Sequence, residues 1–222
     1  MQLSVVIPAL NEADGIALAV TRALALNPLE VIVADGGSAD ETAQRAVKAG
    51  ASVVHAPRGR AKQQNVGASA AAGDVLLFLH ADSWLAPAGR GQIARTLASP
   101  NIPGGCFYHR FETSNAYFRL LEIADAMRVC CLRIGYGDQG IFVRRAVFER
   151  LGGFPDVALM EDVLLMRRLR NIGRIAFLRG PLYTSPRRHL HRGPLRQTLR
   201  NWCLITAEQL GVAPDQLARL YR

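Results

Sequence analysis

Short apolar runs alternate with longer, alanine-rich segments along the first half of the chain. The runs are rich in Val, Ile and Leu, which is typical of strands that are buried in a parallel sheet. The segments between them repeat their apolar positions with a helical period, and Gly50 and Gly73 are suitable terminators. The pattern therefore predicts repeated βαβ units. The predicted strands are Ser4–Pro8, Glu30–Ala34, Ser52–His55 and Val75–Leu79, and the predicted helices are Ala13–Leu26, Asp40–Ala49 (with Asp40 as N-cap) and Ala61–Ala72.

The second half of the chain has a less regular pattern. It predicts a strand at Gly104–Phe111, a helix at Ser114–Cys131, a turn and short strand at GYGDQGIFVRR, and a helix near Met160–Asn171. The basic segment from Pro186 is predicted to become helical. No linker rich in Gly, Ser or Pro interrupts these elements, so we expect one α/β domain over residues 1–222. Within it, the pattern separates a regular half at residues 1–100, a less regular half at 101–185 and a basic C-terminal segment at 186–222.

Composition narrows the functional classes. A chain of 222 residues with 50% hydrophobic content is long enough to bury one sizeable core. The excess of 27 Lys and Arg over 18 Asp and Glu gives a net charge of +9, which should attract anions such as nucleotide phosphates, anionic lipid or nucleic acid. The four cysteines, Cys106, Cys130, Cys131 and Cys203, lack paired spacing and are expected to be reduced.

The sequence predicts a cytoplasmic location, with peripheral contact to an anionic membrane as an option. No basic stretch precedes the first apolar run, and Pro8, Asn11 and Glu12 interrupt that run, which argues against a signal peptide. No apolar stretch of about 18 residues predicts a membrane-spanning helix.

Polar side chains follow three of the predicted strands. Ligands of open α/β sheets bind beyond the carboxyl ends of the strands, so Pro8–Glu12, Asp35–Asp40 and His80–Asp82 are candidate binding segments. Asp35 either grips a base or ribose or belongs to an Asp-Gly turn. An acid after a strand suits a hard divalent cation, so Asp82 is the stronger metal ligand of the HAD segment and His80 the weaker one.

Two adjacent acids open the last predicted helix. Glu161 and Asp162 are neighbours in sequence and cannot face the same point, so we expect them to have separate roles. One could be a general base. The alternative is that both stabilise the positive end of the helix dipole.

Five motifs in order resemble the inverting family 2 glycosyltransferases: VVIPALNE, VIVADGGSAD, LLFLHAD, GDQG and MED. The resemblance covers about residues 1–180 and is closest to a bacterial subgroup of selenodomain-associated, arsenosugar-biosynthesis-type proteins. It implies a GT-A fold, in which helices flank a Rossmann-like, mainly parallel sheet. It also implies transfer of a sugar, with inversion, from a nucleotide-sugar donor to a small-molecule or lipid acceptor, assisted by Mg²⁺ or Mn²⁺. By the same resemblance, residues 1–100 bind the donor, and residues 101–185 bind the acceptor and carry out catalysis.

The resemblance also implies roles for individual residues. Asp162 matches the catalytic base, with Glu161 beside it, and Asp82 matches the metal-binding acid. The positions that match nucleotide-sugar contacts are Pro8, Ala9, Asn11, Glu12, Asp35, Arg60, Gln63, Gln64, Ala81, Asp82 and Asp138. Arg187 and Arg188, in the basic segment, are assigned to the leaving diphosphate, or else form a solvated cationic surface.

Two departures from the family pattern limit what the resemblance implies. His80 stands where the family usually has a first acid, so metal binding could depend mainly on Asp82. The QxxRW motif of processive enzymes is absent, and QTLRNW at Gln197–Trp202 is the nearest approach, which argues against polymer synthesis.

Two rival functions remain at this stage. A nucleotidyltransferase would usually open with a Gly-rich loop, where this chain has Ala9, Asn11 and Glu12. A nucleic-acid-binding module would explain the basic charge but not the acids that follow the strands, so no nucleic acid is expected.

Overall fold

The protein is described by a computed structural model that covers residues 1–132 and 135–186, together with positions 193, 200, 203, 204, 206, 207, 212, 216 and 217. Its eight strands form one sheet in the order β3-β2-β1-β4-β7-β6-β8-β5. The strands are β1 Leu3–Ala9, β2 Glu30–Asp35, β3 Ser52–His55, β4 Val75–Phe78, β5 Ser83–Leu85, β6 Gly104–Phe111, β7 Ile141–Arg144 and β8 Ala176–Thr184. The helices are α1 Ile16–Leu24, α2 Thr42–Lys48, α3 Arg60–Ala70, α4 Ala88–Leu97, α5 Ala116–Leu132, α6 Arg145–Arg150 and α7 Glu161–Ile172, with a 3₁₀ turn at Gly137–Gln139.

The first four strands are parallel to one another, and the later strands are mixed. β1 pairs in parallel with both β2 and β4, and β2 pairs in parallel with β3. β7 lies antiparallel between β4 and β6, β6 and β8 are parallel, and β5 is antiparallel to β8. The expected α/β architecture with a mainly parallel central sheet is therefore confirmed.

Alternating side chains of the strands bury two apolar layers, one on each face of the sheet. Val5 and Ile7 of β1 point into a core that α1, α2 and α4 complete, whereas Val6 of the same strand points into a core completed by α3, α6 and α7. Because both faces are covered by helices, the central strands have continuous apolar sequences. Among the described residues, no helix is both long and apolar enough to cross a membrane.

Several predicted boundaries need correction. Helix α1 begins at Ile16, not Ala13, because residues 13–15 form a turn in which the Gly15 N–H donates to the Glu12 carbonyl (3.0 Å). Helix α2 begins at Thr42, so Asp40 is not the N-cap residue, although its carboxylate accepts a hydrogen bond from the Thr42 N–H (3.0 Å). β5, α4, α6 and β8 were not predicted from the pattern.

The sheet register brings the carboxyl ends of the parallel strands to one edge. Ala9 at the end of β1 is level with Asp35 at the end of β2, which is in turn level with His55 of β3. β4 ends at Phe78 on the other side of β1, directly before His80 and Asp82. The polar segments that follow these strands therefore share one edge of the sheet.

Candidate functional site

The loop after β1 is fastened to the loop after β2. The Asn11 N–H donates to the Ser38 hydroxyl (2.9 Å), and the Asn11 side-chain oxygen accepts from the Ala39 N–H (2.9 Å). The Glu12 N–H donates to the Thr42 hydroxyl (2.8 Å). Asn11 is also in the left-handed region (φ 53°), which asparagine tolerates better than most residues. Both predicted nucleotide-binding segments are therefore held as one unit.

Asp35 lies at the centre of this unit and is buried. Its carboxylate accepts hydrogen bonds from the N–H groups of Gly37 (3.2 Å) and Ser38 (3.1 Å) and from the Ser38 hydroxyl. The exposed ring of His55 approaches the same carboxylate, with 3.7 Å between Nδ1 and Oδ2. Asp35 thus organises its own loop, as in the Asp-Gly turn alternative, and still lies at the edge where a base or ribose would bind.

Asp40 has a supporting role in the same unit. The Thr42 hydroxyl and N–H donate to its carboxylate, and so does the Ala13 N–H (3.2 Å). The hydrogen bond from the Thr42 hydroxyl is the main reason that the pKa of Asp40 is lowered.

Gln63 and Gln64, near the start of α3, are both buried. The Gln63 amide donates to the carbonyls of Ala9 (2.7 Å) and Ala34 (3.1 Å) and so joins the ends of β1 and β2. A Cβ atom at Gly36 would lie 2.9 Å from the Gln63 amide, so this contact also needs a glycine there. The Gln63 amide therefore contacts the ends of the strands that precede the two predicted nucleotide-binding loops.

The HAD segment follows β4 and turns into β5. Asp82 is partly exposed, and its carbonyl accepts the Ser185 N–H (3.0 Å), which ties it to the end of β8. His80 is buried, whereas Asp138 in the 3₁₀ turn is exposed. A pocket of about 180 Å³ adjoins Ala81, Asp82 and Ser83 and is also lined by residues of α1, Glu112 and Ser185.

Glu161 and Asp162 have different surroundings, as expected for adjacent helix positions. Glu161 is 1% exposed and faces α3, where Arg60 Nη1 lies 3.4 Å from its Oε1. Burial raises the pKa of the Glu161 carboxyl to about 7, the neighbouring charge of Asp162 raises it as well, and Arg60 opposes the rise.

Asp162 faces the 3₁₀ turn and His80. The Gly137 N–H donates to Asp162 Oδ2 (2.5 Å), and the Val163 N–H donates to Oδ1 (2.7 Å). A Cβ atom at Gly137 would lie 3.0 Å from Asp162 Oδ2 and 2.9 Å from His80 Nε2. The ring of His80 and the carboxylate of Asp162 therefore converge on one glycine. Met160, immediately before the two acids, is left-handed (φ 66°), a strained conformation that often occurs at functional sites.

Some of the remaining predicted site residues lie in the part of the chain that the structure describes, and others do not. Pro8 and Glu12 are partly buried in the loop after β1, and Arg60 begins α3. Arg187 and Arg188 lie outside the described residues.

Gly137, Ser38 and Thr42 have no predicted role of their own, although they contact predicted site residues. Gly137 belongs to the GDQG motif, but nothing in the sequence indicates that its backbone N–H donates to a carboxylate 25 positions away. The contacts of Ser38 and Thr42 could have been predicted, because hydroxyl residues in the loop after a strand commonly form hydrogen bonds with nearby backbone groups.

The fold is shared with solved structures. A mycobacterial protein superposes with a TM-score of 0.57 at 24% identity over 83% of this chain and 65% of its own. S. aureus TarS (residues 1–349) gives a TM-score of 0.61 at 19% identity over 84% of this chain and 61% of its own. The glucosyl-3-phosphoglycerate synthase of Mycobacterium tuberculosis, in complex with Mn²⁺, UDP and glucosyl-3-phosphoglycerate, gives 0.57 at 23% identity, over 83% and 70%.

At these low identities, the superpositions show a common fold. This chain spans less than two thirds of the length of the first two structures. No curated protein matched the sequence. The family model for glycosyl transferase family 2 matches residues 4–152, which is more than half of the chain and includes the loops after β1, β2 and β4 together with Gly137. The chain therefore belongs to glycosyl transferase family 2.

Proposed function

We propose that this protein transfers a sugar from a nucleoside-diphosphate donor to an acceptor hydroxyl with inversion at the anomeric carbon. The observation that carries the proposal is the convergence of Asp162 and His80 on Gly137, at the edge of the sheet where Asp35 and Asp82 also lie. Family membership supports the same reaction class. Asp162 is the proposed base because two backbone N–H groups hold its carboxylate in a fixed orientation.

In the proposed step, Asp162 accepts the proton of the acceptor hydroxyl. The acceptor oxygen attacks the anomeric carbon, the bond from that carbon to the β-phosphate oxygen breaks, and the nucleoside diphosphate leaves with the electron pair. A single displacement of this kind inverts the configuration of the sugar. Glu161, whose carboxyl faces Arg60, does not take the proton and supports α7 against α3.

The side chains at the site fit a divalent cation that is also held by the diphosphate of the sugar donor. Asp82 offers a partly exposed carboxylate, which suits Mg²⁺ or Mn²⁺, and His80 is a second candidate ligand. Within the described part of the chain, no three His, Cys, Asp or Glu side chains form a complete cation site. Phosphate oxygens and water would supply the other ligands, and the cation would neutralise charge on the leaving group.

Solved structures of the same fold support this proposal by what they contain. The M. tuberculosis synthase was crystallised with Mn²⁺, UDP-glucose and phosphoglyceric acid, and TarS with UDP-GlcNAc. The proposal also includes membership of the selenodomain-associated subgroup and a cytoplasmic location. It further includes a role for Arg187 and Arg188 at the leaving diphosphate.

Asp162→Asn tests the assignment of the base. Asn preserves the shape of the side chain and removes the proton acceptor, so transfer should fall by about 10²–10⁴-fold. Binding of the nucleoside diphosphate, measured by calorimetry, should persist. Asp156→Asn is the matched control, because Asp156 is an exposed acid that precedes α7 and whose carboxylate lies 3.7 Å from the Lys62 ammonium group. Near-wild-type transfer by Asp162→Asn would place the base elsewhere.

A further inference from the structure

Helix α5 carries a continuous apolar stripe on its outer surface. Leu120, Ile123 and Met127 are 68%, 57% and 63% exposed, and Ala116 and Cys130 extend the stripe at its two ends. At 3.6 residues per turn, these five positions fall within an arc of about 80° and run for about 21 Å along the helix. Every exposed side chain that the structure describes on α5 belongs to this stripe.

The inner face of α5 is apolar as well, so the stripe is not the core-facing side of an ordinary amphipathic helix. Phe118 and Val129 are fully buried against the sheet. A surface helix normally places charged residues opposite its buried face. The outer face of α5 instead presents large apolar groups, and such patches mark interaction surfaces.

The two acids of α5 do not contribute to its outer surface. Glu122 accepts hydrogen bonds from the Phe111 N–H (2.7 Å) and from Arg119 (2.7 Å). Asp125 lies 3.6 Å from Nδ1 of the buried His109 on β6. Both carboxylates thus point toward β6, and no described acid side chain on α5 is exposed.

Charge decides which partner suits the stripe. The chain has a net charge of +9. The hydrogen bond between Tyr108 and Cys130 (3.2 Å), together with burial, raises the pKa of Tyr108 to about 12, and the exposed Arg179 opposes the rise, so Arg179 lies near the Cys130 end of the stripe. In a two-fold contact between two copies, each stripe would meet the stripe of the other copy. The positive charge of the two chains would then be brought together, and α5 has no described outward carboxylate to compensate for it. An anionic lipid surface complements both the apolar stripe and the positive charge.

We propose that the α5 stripe docks this protein on the surface of an anionic membrane. The stripe lies in the plane of the lipid headgroups, and its apolar side chains enter the boundary of the acyl chains. The helix packs on β6, whose end joins β8 through the Glu112 N–H and Thr184 carbonyl (3.1 Å), and β8 leads to Ser185 and Asp82. Docking does not depend on the proposed transferase activity; if that activity holds, this placement favours an acceptor that itself resides in the membrane surface.

Sedimentation of the full chain with lipid vesicles tests the proposal. We expect the wild type to pellet with vesicles of phosphatidylcholine containing about 30% phosphatidylglycerol, and to pellet at least about tenfold less with phosphatidylcholine alone. The combined variant Leu120→Gln, Ile123→Gln and Met127→Gln should lower partitioning into the anionic vesicles by at least about tenfold. The control combines Leu24→Gln, Leu29→Gln and Val47→Gln, which removes three exposed apolar side chains elsewhere and should leave binding unchanged.

Three results would overturn the proposal. The wild type could fail to pellet with anionic vesicles, or the control variant could lose as much binding as the stripe variant. Light scattering after size exclusion could also show a wild-type dimer that the stripe variant converts to a monomer, which would assign the stripe to contact between copies.

Discussion

Replacing Glu161 by Gln removes a carboxyl group that folding withdraws from water. The Glu161 side chain is 1% exposed, its charged form is disfavoured by burial and by Asp162, and Arg60 compensates only in part. Glutamine has nearly the same shape and cannot ionise. We therefore expect the stability of Glu161→Gln to depend less on pH than the stability of the wild type does.

The sign and size of the effect follow from proton linkage. Below about pH 4.5 the Glu161 carboxyl is protonated in both states, so its neutral form contributes fully to stability. Between 4.5 and about 7 the unfolded chain ionises first, which lowers the free energy of unfolding as pH rises. Above about 7 the folded chain ionises too, and the loss is complete. The difference between the two pKa values corresponds to about 3 kcal/mol.

Urea unfolding at several pH values between about 4 and 8 measures this directly. The free-energy advantage of Glu161→Gln over the wild type should grow by about 3 kcal/mol across that range. Glu149→Gln is the control, because Glu149 is an exposed acid paired with Arg145 at 2.8 Å, and its effect should not change with pH in this way. A constant difference between Glu161→Gln and the wild type would refute the reasoning, since it would mean that folding does not shift the pKa of Glu161.

Three further predictions concern the same edge of the sheet. Gly137→Ala places a methyl group within 3.0 Å of Asp162 and His80, so transfer should fall by about 10²-fold while nucleoside diphosphate still binds. Gly91→Ala in α4 should leave the rate unchanged, because the nearest atom to its Cβ is the flexible end of Arg95 at 3.4 Å. Asp82→Ala should weaken calorimetric binding of nucleoside diphosphate as strongly as chelation of Mg²⁺ or Mn²⁺ does in the wild type, and equal affinity with and without metal would contradict a cation at Asp82. Gln63→Leu removes two hydrogen bonds, to the carbonyls of Ala9 and Ala34, and should cost about 2 kcal/mol in urea unfolding because the Ala9 carbonyl keeps the Gly36 N–H as a donor, whereas Gln44→Leu on the exposed face of α2 should cost little.

The alternation of apolar runs and helical periods was sufficient to predict the parallel half of the sheet. β3 and β6 have the predicted bounds, and β1, β2 and β4 agree within one residue at each end. β1, β2 and β4 are buried on both faces, so their burial is visible locally in the sequence. β5 and β8 are different, because the short β5 is an edge strand and the partly exposed β8 beside it lacks a continuous apolar pattern.

The starts of α1 and α2 were harder to predict, since hydrogen bonds to loop side chains determine them. The Ala13 N–H donates to Asp40, 27 positions away, and does not join α1. Helix α2 begins where the Asp40 carboxylate accepts the Thr42 N–H. The loops after β1 and β2 stabilise each other instead of extending the helices that follow them. Local propensity cannot report a contact of this kind.

The same physical reason separates the part of the site that sequence could predict from the part that it could not. Strand ends identify Asp35 and Asp82, because parallel strands bring their carboxyl ends to one edge whatever the loops contain. The convergence of Asp162 and His80 on Gly137 depends on where β7, the 3₁₀ turn and α7 pack. That packing is decided by the antiparallel pairing of β7 with β4. Ile141 is level with Phe78 in that pairing, so the turn before β7 must pass beside His80, and only a residue without a side chain fits between His80 and Asp162. Gly137 is therefore a consequence of the register between two strands that are more than sixty positions apart.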